Sequence, residues 1–160
     1  MIIMIDRDLK EYTMTTEQFF SSIMDICDWD KQGNDDDVLK PLIEYLSQQS
    51  DDEIFSFDDI MSELLYALDT KNNFKTACKY YDHSDDTFLY SRCVALVNGE
   101  EYYNKVKLGK IKKRVWTSEF ECILYVPGSA WAKKHNKSYD EYPHITAVSY
   151  ETGSNVDEWK

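Results

Sequence analysis

Apolar residues recur at intervals of three and four along the first hundred positions, which is the spacing of amphipathic helices. In TTEQFFSSIMDICDW, the apolar stripe follows Thr15 and Gln18, the residue pair of a capping box. In SDDEIFSFDDIMSELLYALDT, a longer stripe follows Ser50 and Glu53, which form a second such pair, and acidic residues occupy the positively polarised first turn. These two segments predict the clearest helices of the chain.

Four further segments predict helices with weaker signals. DVLKPLIEYLSQQ carries Pro41 near its start, where the missing N–H costs little. It follows KQGNDDD (31–37), which we expect to form a loop. NNFKTACKYYD predicts a short helix, SDDTFLYSRCVALV predicts one that stops at Asn98 and Gly99, and EEYYNKVKLG predicts one that stops at Gly109.

The helical pattern weakens in the last fifty residues. ECILYVPGSAWAKKHN fits either a helix interrupted near Pro127 and Gly128 or a strand, a turn and a helix. Three of its residues are expected to be buried: Tyr125, Ala130 and Trp131. The rest of the chain predicts an irregular tail, and strands within residues 115–150 remain an open alternative.

The expected fold is a mainly α, single-domain helical bundle that spans residues 1–160. Its C-terminal end is expected to hold a short strand or an irregular segment. We divide the domain into a lead-in (1–12), a helical part (13–109) and a less regular part (110–160).

One charged side chain interrupts an apolar stripe. Helical spacing places Arg92 on the same face as Phe88, Ala95 and Leu96. An isolated buried guanidinium is costly, so Arg92 needs an acceptor. Its planar fork fits one carboxylate held bidentately or several carbonyl oxygens.

Two interpretations of Arg92 follow. In the structural one, Arg92 ties its helix to a carboxylate of another segment, for which Glu63 and Glu121 are the candidates. In the functional one, Arg92 lines a pocket for an anionic ligand near Asp85 and Asp86, which otherwise cap the helix and complement its dipole.

Composition narrows the class of protein. A length of 160 residues suits one domain, and an aromatic content of 14% is atypical of disordered chains. No apolar run approaches a membrane span, and the first residues lack a signal-peptide core. The four cysteines include no C-x-x-C pair, so we expect reduced, buried thiols in a cytoplasmic protein, and three lie in apolar helical patterns: Cys27, Cys78 and Cys93.

Charge is distributed unevenly along the chain. The net charge is −12. Residues 1–100 hold 22 acidic and 8 basic residues, a net charge of −14, whereas residues 101–160 hold 8 and 10, a net charge of +2. Because an acidic surface repels phosphate backbones and anionic lipids, direct binding to nucleic acid or membrane is disfavoured and a basic protein partner is favoured. The basic run KLGKIKKR (107–114) is expected to be a solvated loop, with contact to RNA or an acidic partner as the alternative.

Motifs for chemistry are missing from the sequence. It contains no G-x-S-x-G elbow and neither of the phosphate-binding signatures G-x-G-x-x-G and G-x-x-x-x-G-K-[ST]. His83 with Asp85 and Asp86 suggests a metal site, but no second cluster completes a ligand shell. We therefore predict no catalytic residue, no metal and no cofactor.

A series of short motifs resembles a bacterial family catalogued as domain-of-unknown-function family 4240. Its central pattern is S-D-D-x-F, an Arg, a small apolar run, a Gly and a nearby Tyr, and it is matched by Ser84, Asp85, Asp86, Phe88, Arg92, Gly99 and Tyr103. TTEQFFSSI, SDDEIFSFDDIMSELLYAL, FECILYVPGSAWAKKHNK and TGSNVDEW resemble other blocks of that family in order, over residues 13–159. The chain departs from the family at Phe20, where Trp is common, and at Ser91, where Phe is usual.

The resemblance implies a mainly helical domain with no established activity, some of whose members are encoded among toxin–immunity genes. Together with the charge, it leads us to expect a non-catalytic, immunity- or antitoxin-type inhibitor that blocks the active site of a basic toxin, in particular a nuclease. The alternatives are a regulatory or scaffolding domain and a small-ligand binder or enzyme built on Arg92. The contact surface for the basic partner is expected to contain seven carboxylates and two aromatic anchors: Asp35, Asp36, Asp37, Asp51, Asp52, Asp58, Asp59, Trp29 and Tyr45.

Overall fold

The fold is that of a computed structural model, which describes residues 12–160. The expected mainly α bundle is confirmed, and no residue in this range belongs to a strand. The α-helices are α1 (Thr16–Ile26), α2 (Asp35–Ser47), α3 (Asp51–Leu68), α4 (Lys71–Ala77), α5 (Asp85–Val97), α6 (Glu100–Lys107), α7 (Lys113–Trp116) and α8 (Val126–His135). Short 3-10 turns lie at Trp29–Lys31, Glu121–Tyr125, Tyr139–Glu141 and Val156–Trp159. Most of the predicted lead-in, residues 1–11, lies outside the described residues.

Side-chain caps fix where the first helices begin. The capping box predicted at α1 is present, since Thr15 accepts from the backbone N–H of Gln18 and the Gln18 side chain accepts from that of Thr15. At α2, Asn34 accepts from the backbone N–H of Asp37, so that the helix begins at Asp35. The predicted loop 31–37 is therefore too long: its three aspartates form the first turn of α2, where they face the positive end of the helix dipole.

The helix α5 lies at the centre of the bundle. Its residues Phe88, Leu89 and 91–97 are all buried, so it is surrounded on every side rather than amphipathic. The helices α1, α3, α6 and α7 pack against it, and α8 closes the bundle against α2 and α3. The buried apolar side chains of the described residues form one core cluster.

The segment before α8 differs from both predicted alternatives. Residues 121–125 form a 3-10 turn, and α8 then begins at Val126 with Pro127 in its first turn, where a missing N–H is tolerated. Pro127 and Gly128 therefore begin a helix instead of interrupting one. Ala130 and Trp131 are buried as predicted, but Tyr125 is 44% exposed because its hydroxyl donates to Glu121 (2.5 Å) at the surface.

The predicted burial of the cysteines is wrong for one of them, Cys78. The described cysteines are all free thiols. Cys27 and Cys93 are buried, whereas Cys78 is exposed because it lies at the C-cap of α4, beyond the buried face of that helix. None of the described helices combines the length and the apolar character that a bilayer span requires.

The residues after α8 have little regular structure, as predicted, yet they are fixed to the bundle by buried polar groups. Asp69, at the C-cap of α3, is fully buried and accepts three hydrogen bonds from this tail. The donors are the backbone N–H groups of Gly153 (3.1 Å) and Asn155 (3.1 Å) and the indole Nε1 of Trp159 (2.9 Å). The carboxylate thus replaces the hydrogen-bonding partners that an irregular segment cannot supply by itself.

Arg92 holds the same tail from the other side. Its guanidinium is 0% exposed and donates to the carbonyl of Leu65 (2.9 Å) and to Thr152 Oγ1 (3.0 Å), and it lies 4.8 Å from the centre of the Phe88 ring. Burial lowers the pKa of Arg92, and the negative charge of Asp69 acts in the opposite direction. Arg92 and Asp69 therefore hold two consecutive residues, Thr152 and Gly153.

The predicted carboxylate partners of Arg92 are wrong. Glu63 accepts from Tyr12 Oη (2.7 Å) and Glu121 accepts from Tyr125. Within residues 12–160, no carboxylate oxygen lies within ion-pair distance of the Arg92 guanidinium. The helical pattern identified the buried charge correctly, but a carbonyl and a hydroxyl accept from it.

We predict that Asp69→Ala destabilises the fold by about 3 kcal/mol or more, because it leaves buried N–H groups of the tail without their acceptor. Urea denaturation monitored by circular dichroism measures this change. The control Asp157→Ala removes an exposed carboxylate of the same tail that pairs with Lys160 (3.1 Å), and it should cost no more than about 0.5 kcal/mol. Equal losses in the two variants would show that Asp69 does not anchor the tail.

Candidate functional site

A cleft of about 400 Å³ lies between the start of α8 and the tail, with one carboxylate of α3 in its lining. Its walls are mainly polar and aromatic. The lining residues are Asp58, Leu124, Pro127, Gly128, Tyr139, Tyr142, His144, Ile145, Thr146, Ser149, Tyr150 and Glu151.

The acidic group of the cleft is Asp58, which is 8% exposed. Its Oδ2 accepts a hydrogen bond from Tyr142 Oη (2.9 Å). Burial raises the pKa of Asp58 to about 6, although the hydrogen bond from Tyr142 and the nearby His144 act in the opposite direction. A raised pKa for a carboxyl group in a cleft is the combination found at many functional sites.

The neighbouring carboxylate, Asp59, has a different environment. It is 2% exposed and lies 2.8 Å from His144 Nε2. The imidazole ring of His144 stacks on Phe55 with a centroid distance of 4.6 Å and an interplanar angle of 8°. Adjacent positions on one helix therefore hold a carboxylate with a histidine partner and a carboxylate that lines a cleft.

Three tyrosines surround Asp58. Burial, followed by the negative charge of Asp58, raises the pKa of Tyr139 and Tyr142 and raises the pKa of Tyr150 to about 12. All three are neutral hydroxyl groups at neutral pH. The carboxylate is therefore surrounded by aromatic rings and hydroxyl groups rather than by fixed cations.

Gly128 allows Tyr139 to form the wall of the cleft. A Cβ at position 128 would lie 2.4 Å from Cε2 of the Tyr139 ring, which is shorter than any acceptable contact. The absence of a side chain at Gly128 therefore leaves room for the Tyr139 ring beside the start of α8. The aromatic wall thus depends on one small residue in the first turn of that helix.

The predicted contact carboxylates do not form one surface. Asp58 and Asp59 are buried inside the fold, so they are not available to a large partner. Asp51 lies 2.7 Å from Lys134 Nζ and 2.8 Å from His135 Nε2, so its charge is compensated by the end of α8. Asp52 is exposed but belongs to the same helix start.

Helix geometry separates the remaining acids into two groups. Asp35, Asp36 and Asp37 begin α2, whereas Asp51 and Asp52 follow its end. The 13 residues of α2 place the groups roughly 20 Å apart along its axis. The sequence therefore suggested one acidic surface where the fold has two helix starts at opposite ends of α2.

A different set of acids does come together, and we call it the acidic band. Cys122 belongs to the 3-10 turn 121–125, and burial, a hydrogen bond with Asp36 and the charges of Asp36, Asp35 and Glu121 raise its pKa to about 11. Tyr90 lies on α5, where burial and the negative charges of Glu121, Asp86 and Glu151 raise its pKa. The band consists of Asp35, Asp36, Glu121, Asp86 and Glu151.

The two predicted aromatic anchors lie in different places. Trp29 is half-buried, donates to the Ile23 carbonyl (3.3 Å) and contacts Phe120 with a centroid distance of 6.3 Å, so it lies beside the acidic band. Tyr45 is exposed near the C-terminal end of α2 and faces Glu53, away from the band.

The residues of the central motif serve the fold. Ser84 caps α5, Asp85 and Asp86 lie exposed in its first turn, and Phe88 is buried. Gly99 adopts a left-handed φ of 95° between α5 and α6. Tyr103 Oη donates to the Leu64 carbonyl (2.6 Å).

A ligand site built on Arg92, Asp85 and Asp86 is ruled out by this placement. The guanidinium is sealed in the core, whereas the two aspartates are at the surface. His83 Nε2 lies 2.7 Å from the Trp116 carbonyl, and no group of three or more potential metal ligands converges within the described part of the chain.

The tail residues of the cleft were not identified from the sequence. Tyr142, His144, Tyr150 and Glu151 lie in a segment with no helical periodicity and only a weak alternation, so no pattern placed them next to α3. The only available signal was the unusual density of tyrosine and histidine in YDEYPHITAVSY.

Comparison with known proteins identifies the family. Residues 14–133 match the family described as "Protein of unknown function (DUF4240)", and the chain belongs to this family. No curated protein and no solved structure matches the chain. The matched range includes Asp58, the wall formed by α8 and most of the acidic band, but it ends before the tail that completes the cleft.

We predict that Asp58→Asn becomes increasingly stabilising, relative to the natural chain, as the pH rises. Because the folded pKa of Asp58 lies above its unfolded value, folding favours the protonated form, and stability is lost as the pH rises from about 4 to above 6. Asparagine removes this loss and still accepts from Tyr142. The free-energy difference between the two proteins should grow by about 2 kcal/mol between pH 4.5 and pH 8.

Urea denaturation at several pH values measures this difference. The control Asp82→Asn removes an exposed carboxylate from the loop between α4 and α5, and its effect should be nearly independent of pH. A pH-independent effect of Asp58→Asn would contradict the raised pKa.

Proposed function

We propose that the protein is a non-catalytic inhibitor of the immunity or antitoxin type, which binds a basic bacterial toxin, most simply a nuclease, and covers its active site. The observation that supports this proposal is the acidic band. The charges that act most strongly on Cys122 and Tyr90 are all negative.

Electrostatics gives such a surface a role in association. Enzymes that bind nucleic acid need a basic surface, because they must attract the phosphate backbone. An acidic partner is attracted to the same surface, so association is accelerated and the phosphate site is blocked. The net charge of −12 strengthens this attraction at long range.

The band also offers the apolar contacts that a stable complex requires. Trp29 and Phe120 are partly exposed beside it, and Tyr125, which is hydrogen-bonded to Glu121, is half-exposed. Aromatic anchors surrounded by polar residues are typical of the few positions that carry most of the binding energy in protein interfaces.

We predict that the variant Asp35→Asn/Asp36→Asn/Glu121→Gln associates about tenfold or more slowly with the basic toxin encoded next to this gene in its native genome. The difference should shrink as salt is raised, because screening removes the attraction in the natural protein. Stopped-flow or surface-plasmon resonance measurements of the association rate constant, at salt concentrations from about 25 mM to about 500 mM, test this prediction.

The matched control is Glu17→Gln/Glu100→Gln/Glu101→Gln. It removes three charges that also lie in first helical turns, at α1 and α6, so losses from the helix dipole are similar. Co-expression provides the functional readout: the natural chain and the control should restore growth of cells that produce the toxin, and the band variant should do so poorly. Full protection by the band variant, or no protection by the natural chain, would overturn the proposal.

A further inference from the structure

The carboxylate of Asp58 differs from the other buried acids of the fold. Asp69 accepts three tail hydrogen bonds, and Asp59 has His144 as its partner. Asp58 accepts a hydrogen bond from the neutral hydroxyl of Tyr142 and borders an open cleft. A carboxylate has about four acceptor positions, so Asp58 retains capacity to accept from a ligand.

The surroundings of Asp58 suit one class of ligand. Tyrosine rings attract cations through their electron-rich faces, and Tyr139, Tyr142 and Tyr150 all line the same cleft. Glu151 adds a second acid to the lining. A volume of about 400 Å³ lies within the range of small-molecule sites.

Other ligand classes fit less well. An anion would meet Asp58 and Glu151. A metal ion requires several converging ligands, and no such group occurs among the residues from 12 onward. A neutral apolar molecule would desolvate the Asp58 carboxylate further without filling the acceptor positions that Tyr142 leaves open.

We propose that this cleft binds an alkylammonium group, with the charged nitrogen at Asp58 and the carbon chain against the tyrosine rings. The ammonium donates hydrogen bonds to the carboxylate, and Tyr139 and Tyr150 cover its methylene groups. The proposal does not depend on the toxin partner, because Asp58 is buried and lies outside the acidic band, and only Glu151 belongs to both the cleft lining and the band.

Isothermal titration with three probes tests the proposal. The probes are 1,5-diaminopentane, which is a free amine, Nα-acetyl-lysine amide, which represents a lysine side chain of a protein, and 1-pentanol, which has a similar chain without the charge. Binding of either amine, with pentanol at least tenfold weaker, supports the site, and the stronger of the two amines shows whether the natural source is a small molecule or a peptide. Equal binding of pentanol and the amines, or no binding of any probe, overturns it.

Two variants connect any binding to the cleft. Asp58→Asn should weaken amine binding tenfold or more, because a charge-assisted hydrogen bond is lost, whereas the charge-matched control Asp82→Asn should not change it. Gly128→Ala forces the Tyr139 ring away from α8 and should also weaken binding, while the fold is retained because alanine suits a helix. Unchanged binding in both cleft variants would show that the amines bind elsewhere.

The amine-binding test and the toxin-protection test can succeed or fail independently of each other. Asp58→Asn and Gly128→Ala leave the acidic band intact, so both should still protect cells against the toxin. If the acidic-band variant no longer protects cells against the toxin but binds amines normally, the toxin surface and the amine cleft are two independent sites.

Discussion

Two buried charges of opposite sign, Arg92 on α5 and Asp69 at the end of α3, hold the tail against the bundle. Neither is exposed, and each is satisfied mainly by groups that belong to the tail or to a neighbouring helix. A buried charge without such partners is too costly to retain, so the bundle and the tail require each other. The cleft depends on the same contacts, because Tyr150 and Glu151 directly precede Thr152.

The polar groups of α3 divide into those that serve the fold and one that costs stability. Asp69 accepts hydrogen bonds from the tail and Asp59 has His144 as its partner, whereas burial raises the pKa of Asp58. Sequences often retain such unfavourable groups where a site needs them, since stability is lost locally for the sake of binding. This contrast is the reason for placing the candidate ligand site at Asp58 rather than at Arg92, which the sequence pattern made more conspicuous.

The negative charge of the chain also has two different roles. Acidic residues in the first turns of α2, α3, α5 and α6 complement the helix dipoles, and Asp51 of α3 also pairs with the end of α8. The acidic band arises where two of these helix starts, α2 and α5, lie on either side of the turn 121–125. Its carboxylates belong to distant parts of the sequence, which is why a count of charges along the chain indicated an acidic protein but not the surface that concentrates the charge.

The sequence by itself determined the helices and the buried charge. Spacing of apolar residues identified each of α1 to α6, although it missed the start of α2 and the end of α4, because such signals act within a few residues. The position of Arg92 in an apolar stripe identified it as buried. Only the tertiary structure decided what Arg92 binds, that Asp58 and Asp59 are buried, and that the tail completes a cleft. These outcomes depend on contacts between residues sixty or more positions apart, which involve a segment without helical periodicity, and a local pattern carries no information about such contacts.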